Sequence, residues 1–168
     1  MDYIKKCLKH TRKMYVLILI TLLYSLLIGW LYSFKYFNLG MFLLNTLVFL
    51  FSLIVSIAFD EFFFFTAVKF IQPRMKAKEA FIITAKSILL AYCILLPTVM
   101  VMLSLNCFFR LNAIYFTRVN AFIMSYICCF ILFFTYKFIS NENWKTTVSI
   151  VSVNILLRSL VMILMSII

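Results

Sequence analysis

Apolar residues fall into five long runs separated by short polar segments, and within the runs polar and apolar positions do not alternate. Met14–Tyr32 carries no charged residue. The second run starts at Met41, meets Asp60 and Glu61, and resumes as Phe62–Phe65 before Lys69. Gln72, Pro73 and Arg74 then break it, because proline removes a backbone donor and disfavours helix just before itself. Ser87–Cys107 is the third run and contains Pro97, and Val119–Tyr136 is the fourth. The fifth, Thr146–Ile168, is interrupted only by Asn154 and Arg158. Each run approaches the ~20 residues a helix needs to cross the hydrocarbon of a bilayer, whereas membrane strands alternate over about ten. The pattern predicts an all-α, polytopic membrane helix bundle forming one domain over 1–168. Its five transmembrane helices are expected near 14–32, 41–66, 87–107, 119–136 and 146–168. Between the second and third spans, Met75–Lys86 reads as a short amphipathic helix lying along the inner surface. Its polar residues are Lys76, Lys78, Glu79 and Lys86, and its apolar ones Phe81, Ile82 and Ile83.

Composition narrows the class further. The 168 residues are 66 % hydrophobic and 12 % charged, against roughly half and a quarter in soluble proteins. Mean hydropathy is +1.12. A soluble fold of this size could not hide so much apolar surface, and a disordered chain would not carry it. The net charge of +11 would suggest nucleic acid in a soluble protein. Here it points to cytoplasmic loops and anionic headgroups, with no nucleic-acid partner. Lys5, Lys6, Lys9, Arg12 and Lys13 lie in the N-terminal tail, Lys69, Arg74, Lys76, Lys78 and Lys86 around the second link, and Lys137 and Lys145 around the fourth. Only Lys35, Arg110 and Arg118 fall on the other side, so the positive-inside rule places the N-terminus in the cytoplasm and the C-terminus outside. The first run is too long, and Trp30, Leu31 and Tyr32 too bulky, for a cleaved signal peptide, so it is expected to remain as an anchor. With minimal loops and no soluble domain expected on either side, a bacterial inner membrane fits better than an endomembrane.

Candidate chemistry is sparse. One histidine, His10 in the basic tail, leaves a serine or cysteine nucleophile without a base and cysteine without a zinc partner. No glycine-rich phosphate loop or His-Glu-x-x-His motif occurs. The chain is read as a non-enzyme with no cofactor, metal or catalytic residue. Cys93, Cys107, Cys128 and Cys129 read as small apolar filler, and Cys7, beside Lys5, Lys6 and Lys9, as a possible acylation site. Asp60 and Glu61 are either boundary charges near the inner interface or a buried acid facing a partner. Adjacent residues point about 100° apart on a helix, so at most one of them can face that partner. Arg158 lies near the middle of its span and cannot shed its charge, so it calls for an acidic partner or a wet cavity. Asn154, one turn earlier on the same face, could share that partner. Pro97 is expected to kink the third helix. Lys76, Lys78 and Lys86 are candidate contacts for anionic lipid headgroups.

The order of features in Phe62–Met102 resembles the Yip family of Rab-interacting membrane proteins in its broad bacterial form. In that stretch the second span leaves into a basic turn, a Lys78-Glu79-Ala80-Phe81 helix follows, and the third span contains Pro97. The closing hairpin, with Ser140, Trp144 and Lys145 at its turn, is similar too. The resemblance implies a five-helix fold and a role in membrane organisation or trafficking, and it transfers no catalytic residue. Two function classes stay open. One is a non-enzymatic membrane scaffold or accessory subunit, working through a membrane-protein partner or as a homo-oligomer. The other is a small transporter, or the membrane component of an export or immunity system. An aqueous path lined by Asp60 or Glu61 and Arg158 would favour transport. Closed packing with a lipid-facing groove would favour the scaffold.

Overall fold

The computed structural model describes residues 14–33, 39–109 and 118–167. Among them are five α-helices and no strand: α1 (Met14–Ser33), α2 (Leu39–Ile71), α3 (Ala77–Phe109), α4 (Arg118–Ser140) and α5 (Trp144–Ile167). Leu39–Ile71 and Ala77–Val101 are long and apolar enough to cross a membrane, while Met14–Ile28 and Tyr126–Ser140 are shorter apolar stretches. Hydroxyl residues fit these apolar helices because they bond to their own backbone one turn back, so no polar group is left open. Thr21 donates to the Leu17 carbonyl at 2.7 Å, Ser25 to Thr21 at 3.0 Å and Ser87 to Ile83 at 2.8 Å.

The centre of the bundle is α3, which packs against α1, α2 and α4, while α5 closes against α2 and α4. Within its apolar segment 61 % is buried, against 11 % for α2. Much of α2 therefore faces outward, and Leu43, Leu47, Phe51, Val55, Phe59 and Phe62 form an exposed stripe at helical spacing. A water-soluble protein rarely leaves a contiguous apolar face of that length uncovered. The buried positions of α2 are Thr46, Leu53, Asp60, Phe63, Phe64, Ala67 and Val68, so its C-terminal half is the packed half. Phe64 is fully enclosed and meets Tyr136 of α4 edge-to-face at 5.3 Å. Beneath α1, Leu17 packs with Leu89 and Leu90.

Met75–Lys86 departs from expectation. No separate surface helix exists there, because from Ala77 the chain is already α3 and continues unbroken to Phe109. Two causes combine. No glycine or proline interrupts Ala77–Leu96, and Ala80 and Thr84 are buried against α2 instead of facing outward. At 33 residues each, α2 and α3 are about 50 Å long at 1.5 Å per residue, well beyond a ~30 Å hydrocarbon layer. Pro97 lies inside α3, which runs on past it, and its missing N–H leaves the Cys93 carbonyl without the usual helical donor.

The two described turns are held by lysines. Lys69, in the last turn of α2, donates to the carbonyls of Pro73 at 3.0 Å and Met75 at 2.7 Å. A cation is favourable at a helix C-terminus, and here it closes a turn that has no glycine. Between α4 and α5, Lys137 bonds to the Glu142 carbonyl and sits 5.4 Å from the centre of the Trp144 ring. Asn141 takes a positive φ of 55°, which asparagine tolerates better than most residues. The turns put the C-terminal ends of α2 and α4 beside one another, and Tyr136 donates to Gln72 Oε1 at 3.4 Å.

Candidate functional site

Four helices converge on Asp60. Its Oδ1 lies 2.8 Å from Nη2 of Arg158 on α5, and both side chains are buried. Its Oδ2 accepts a hydrogen bond from the Tyr92 hydroxyl of α3 at 2.8 Å and a longer one from the Cys128 thiol of α4 at 3.8 Å. Arg158 Nε donates to Asn154 Oδ1 at 3.4 Å, and Asn154 Nδ2 points to Cys129 Sγ at 3.7 Å. The centre thus joins α2, α3, α4 and α5 through one chain of polar contacts. In a low-dielectric interior an isolated ion is costly, and a pair survives only where hydrogen bonds satisfy its remaining positions. Here Tyr92 and Cys128 supply them to Asp60 Oδ2, and Asn154 accepts from Arg158 Nε.

Helical geometry sends the neighbouring acid elsewhere. Glu61 points toward α3, where Thr84 donates to its Oε1. Its Oε2 is buried and has no protein partner among the described residues. Beside it a groove of about 670 Å³ opens between α1, α2 and α3. Its walls include Ile18, Leu22, Ile57, Phe65 and Leu89, and Glu61 is the one charged residue lining it among the described residues.

Of the residues singled out in the sequence, the structure therefore brings Asp60, Asn154 and Arg158 together and sets Glu61 apart. Pro97 belongs to α3, five residues beyond Tyr92. Lys76 and Lys78 are exposed and Lys86 is half-buried. Cys7, His10, the basic tail, Lys35 and Arg110 lie outside the described residues, and nothing is described of the Cys107 and Arg118 side chains. Sequence reasoning missed Tyr92, Thr84 and the two thiols. Tyr92 and the thiols stand in apolar runs with no charge or spacing to mark them, Thr84 is a neutral member of the lysine-bearing segment Met75–Lys86, and a tyrosine well inside an apolar run was the only available hint. Among the described residues no three His, Cys, Asp or Glu side chains gather as metal ligands would. The arrangement ties α2, α3, α4 and α5 together at Asp60 and leaves an apolar cleft with one acidic point at Glu61. No family model, curated protein or solved structure matches the chain.

Proposed function

We propose that this protein is a non-enzymatic, multi-pass membrane scaffold or accessory subunit whose five helices all cross the bilayer. The observation that carries the reading is the closure of the charged centre. Asp60 and Arg158 are 8 % and 7 % exposed, and their polar neighbours are side chains of the bundle, which is the form of a helix-locking pair. A solute path would need charged groups facing water. The exposed stripe on α2, Leu43 to Phe62, supplies an apolar face for lipid or for the helix of a membrane partner. The bias of basic residues supports a cytoplasmic N-terminus and an outer C-terminus, with Lys76, Lys78 and Lys86 toward anionic headgroups, and the short links between runs favour a bacterial inner membrane. A role in membrane organisation is what the resemblance of Phe62–Met102 to Yip-type proteins implies.

Cys128 provides the test, since its thiol touches Asp60. In a variant retaining only this cysteine, a hydrophilic thiol reagent leaves Cys128 unmodified from either side of the membrane until the protein is unfolded. Rapid modification in the folded protein would reveal an aqueous path and turn the reading toward a small transporter. Photo-crosslinkers at Phe51 or Val55 then capture a membrane-protein partner or a second copy of the chain.

A further inference from the structure

We propose that the groove between α1, α2 and α3 binds an aminophospholipid, with one acyl chain in the cleft and the ammonium headgroup on Glu61. The proposal goes beyond the scaffold reading but rests on its membrane location. Its volume of about 670 Å³ falls inside the range of roughly 300–1,000 Å³ common for ligand sites. From Leu50 to Glu61 the α2 wall runs about 16 Å at 1.5 Å per residue, a length suited to an extended acyl chain. From Leu50 to Ala58 that wall is hydrocarbon, Glu61 follows one turn on, and Phe62 and Phe65 continue it.

The headgroup chemistry follows from what Glu61 lacks. Thr84 satisfies Oε1, while Oε2 is buried with no protein donor among the described residues. Burying such an oxygen without a hydrogen bond is costly, and a bare acyl chain would leave it so. An anionic headgroup would be repelled. A choline headgroup carries the right charge but has no N–H to give. A primary ammonium supplies both charge and donor. The phosphate behind it requires a cation, and Lys78 lies on α3 near the groove residue Phe81. Lys78 is one turn before Phe81 on the same face. Met14, where α1 begins, also lines the groove.

The test uses the full chain in phosphatidylcholine nanodiscs, with trace phosphatidylethanolamine or phosphatidylcholine carrying a spin label on one acyl chain. The immobilised fraction of each label is read by electron paramagnetic resonance. The ethanolamine lipid should be held about tenfold more tightly than the choline lipid, as one hydrogen bond to a charged group can supply. Glu61→Gln should abolish that preference, because its amide keeps an oxygen for Thr84 and turns N–H groups, which cannot accept, toward the lipid. Ala58→Phe, at an exposed position of the groove wall, should lower the immobilised fraction of both lipids while leaving Glu61 in place. Equal retention of the two lipids, or a preference that survives Glu61→Gln, would overturn the proposal and leave the scaffold reading intact. A chain that does not enter nanodiscs would overturn both.

Discussion

Asp60 and Glu61 are adjacent in sequence and serve different helices. Asp60 pairs with Arg158 of α5, 2.8 Å away, whereas Glu61 accepts from Thr84 of α3. The turn of about 100° between successive residues explains the split. One carboxylate becomes part of the bundle's locked centre, and the other stands at the edge of an apolar groove. Substitutions at the two positions are therefore expected to have separable effects, on assembly at Asp60 and on what the groove holds at Glu61.

Tyr92→Phe removes the hydroxyl that bonds to Asp60 at 2.8 Å and leaves the ring in place. A hydrogen bond to a charged group contributes about 1.5–3 kcal/mol, so the variant is expected to lose stability of that order. Denaturant unfolding in detergent, followed by circular dichroism, measures the loss. Wild-type stability in the variant would mean that the hydroxyl does not support the pair.

Lys69→Met should loosen the turn between α2 and α3 by removing donors to two carbonyls. Part of this contact is exposed, so about 1 kcal/mol is expected from it. Trypsin cleavage after Arg74 should accelerate several-fold, with no change in the rate at Lys145. An unchanged rate at Arg74 would show that the turn holds without Lys69.

Much of this architecture can be read from the sequence, and what is missed has a physical cause. Long charge-free runs announce helices because no other structure hides so many apolar residues with so few turn formers. Arg158 stands out because its charge cannot be lost, and counting acids inside other runs leaves only Asp60 and Glu61. Which of the two it meets is not legible, since a shift of one residue rotates the answer by about 100°. Tyr92 and Cys128 are neutral members of apolar runs and become recognisable only when packing turns them toward Asp60. Met75–Lys86 misleads for a related reason. Its mixture of lysines and apolar residues suits a helix on a membrane surface, but it also suits the first turns of a helix packed on a neighbour. The extension of α2 to Ile71 provides that neighbour, and the fully buried Ala80 and Thr84 mark the contact.

Five crossings with the N-terminus inside give a defined labelling pattern. Single cysteines at Asn38 and Asn112, in an otherwise cysteine-free chain, should react with an impermeant reagent applied from outside. A cysteine at Asn141, in the turn closed by Lys137, should react only from the cytoplasmic side. Outside labelling at Asn141 would reverse the orientation or remove a crossing.

The account stands most directly on the coupling between Asp60 and Arg158. Arg158→Leu strands a buried carboxylate and should destabilise the protein by about 3–5 kcal/mol. Adding Asp60→Asn removes the stranded charge and should recover part of that loss, whereas adding Glu61→Gln should recover none, because Glu61 faces Thr84. Equilibrium unfolding of the wild type, the three single variants and the two double variants in nanodiscs provides the full cycle. Recovery confined to the Asp60→Asn double variant is the predicted result. If that double variant is no more stable than Arg158→Leu alone, the two side chains are not coupled and the locked-bundle account is wrong.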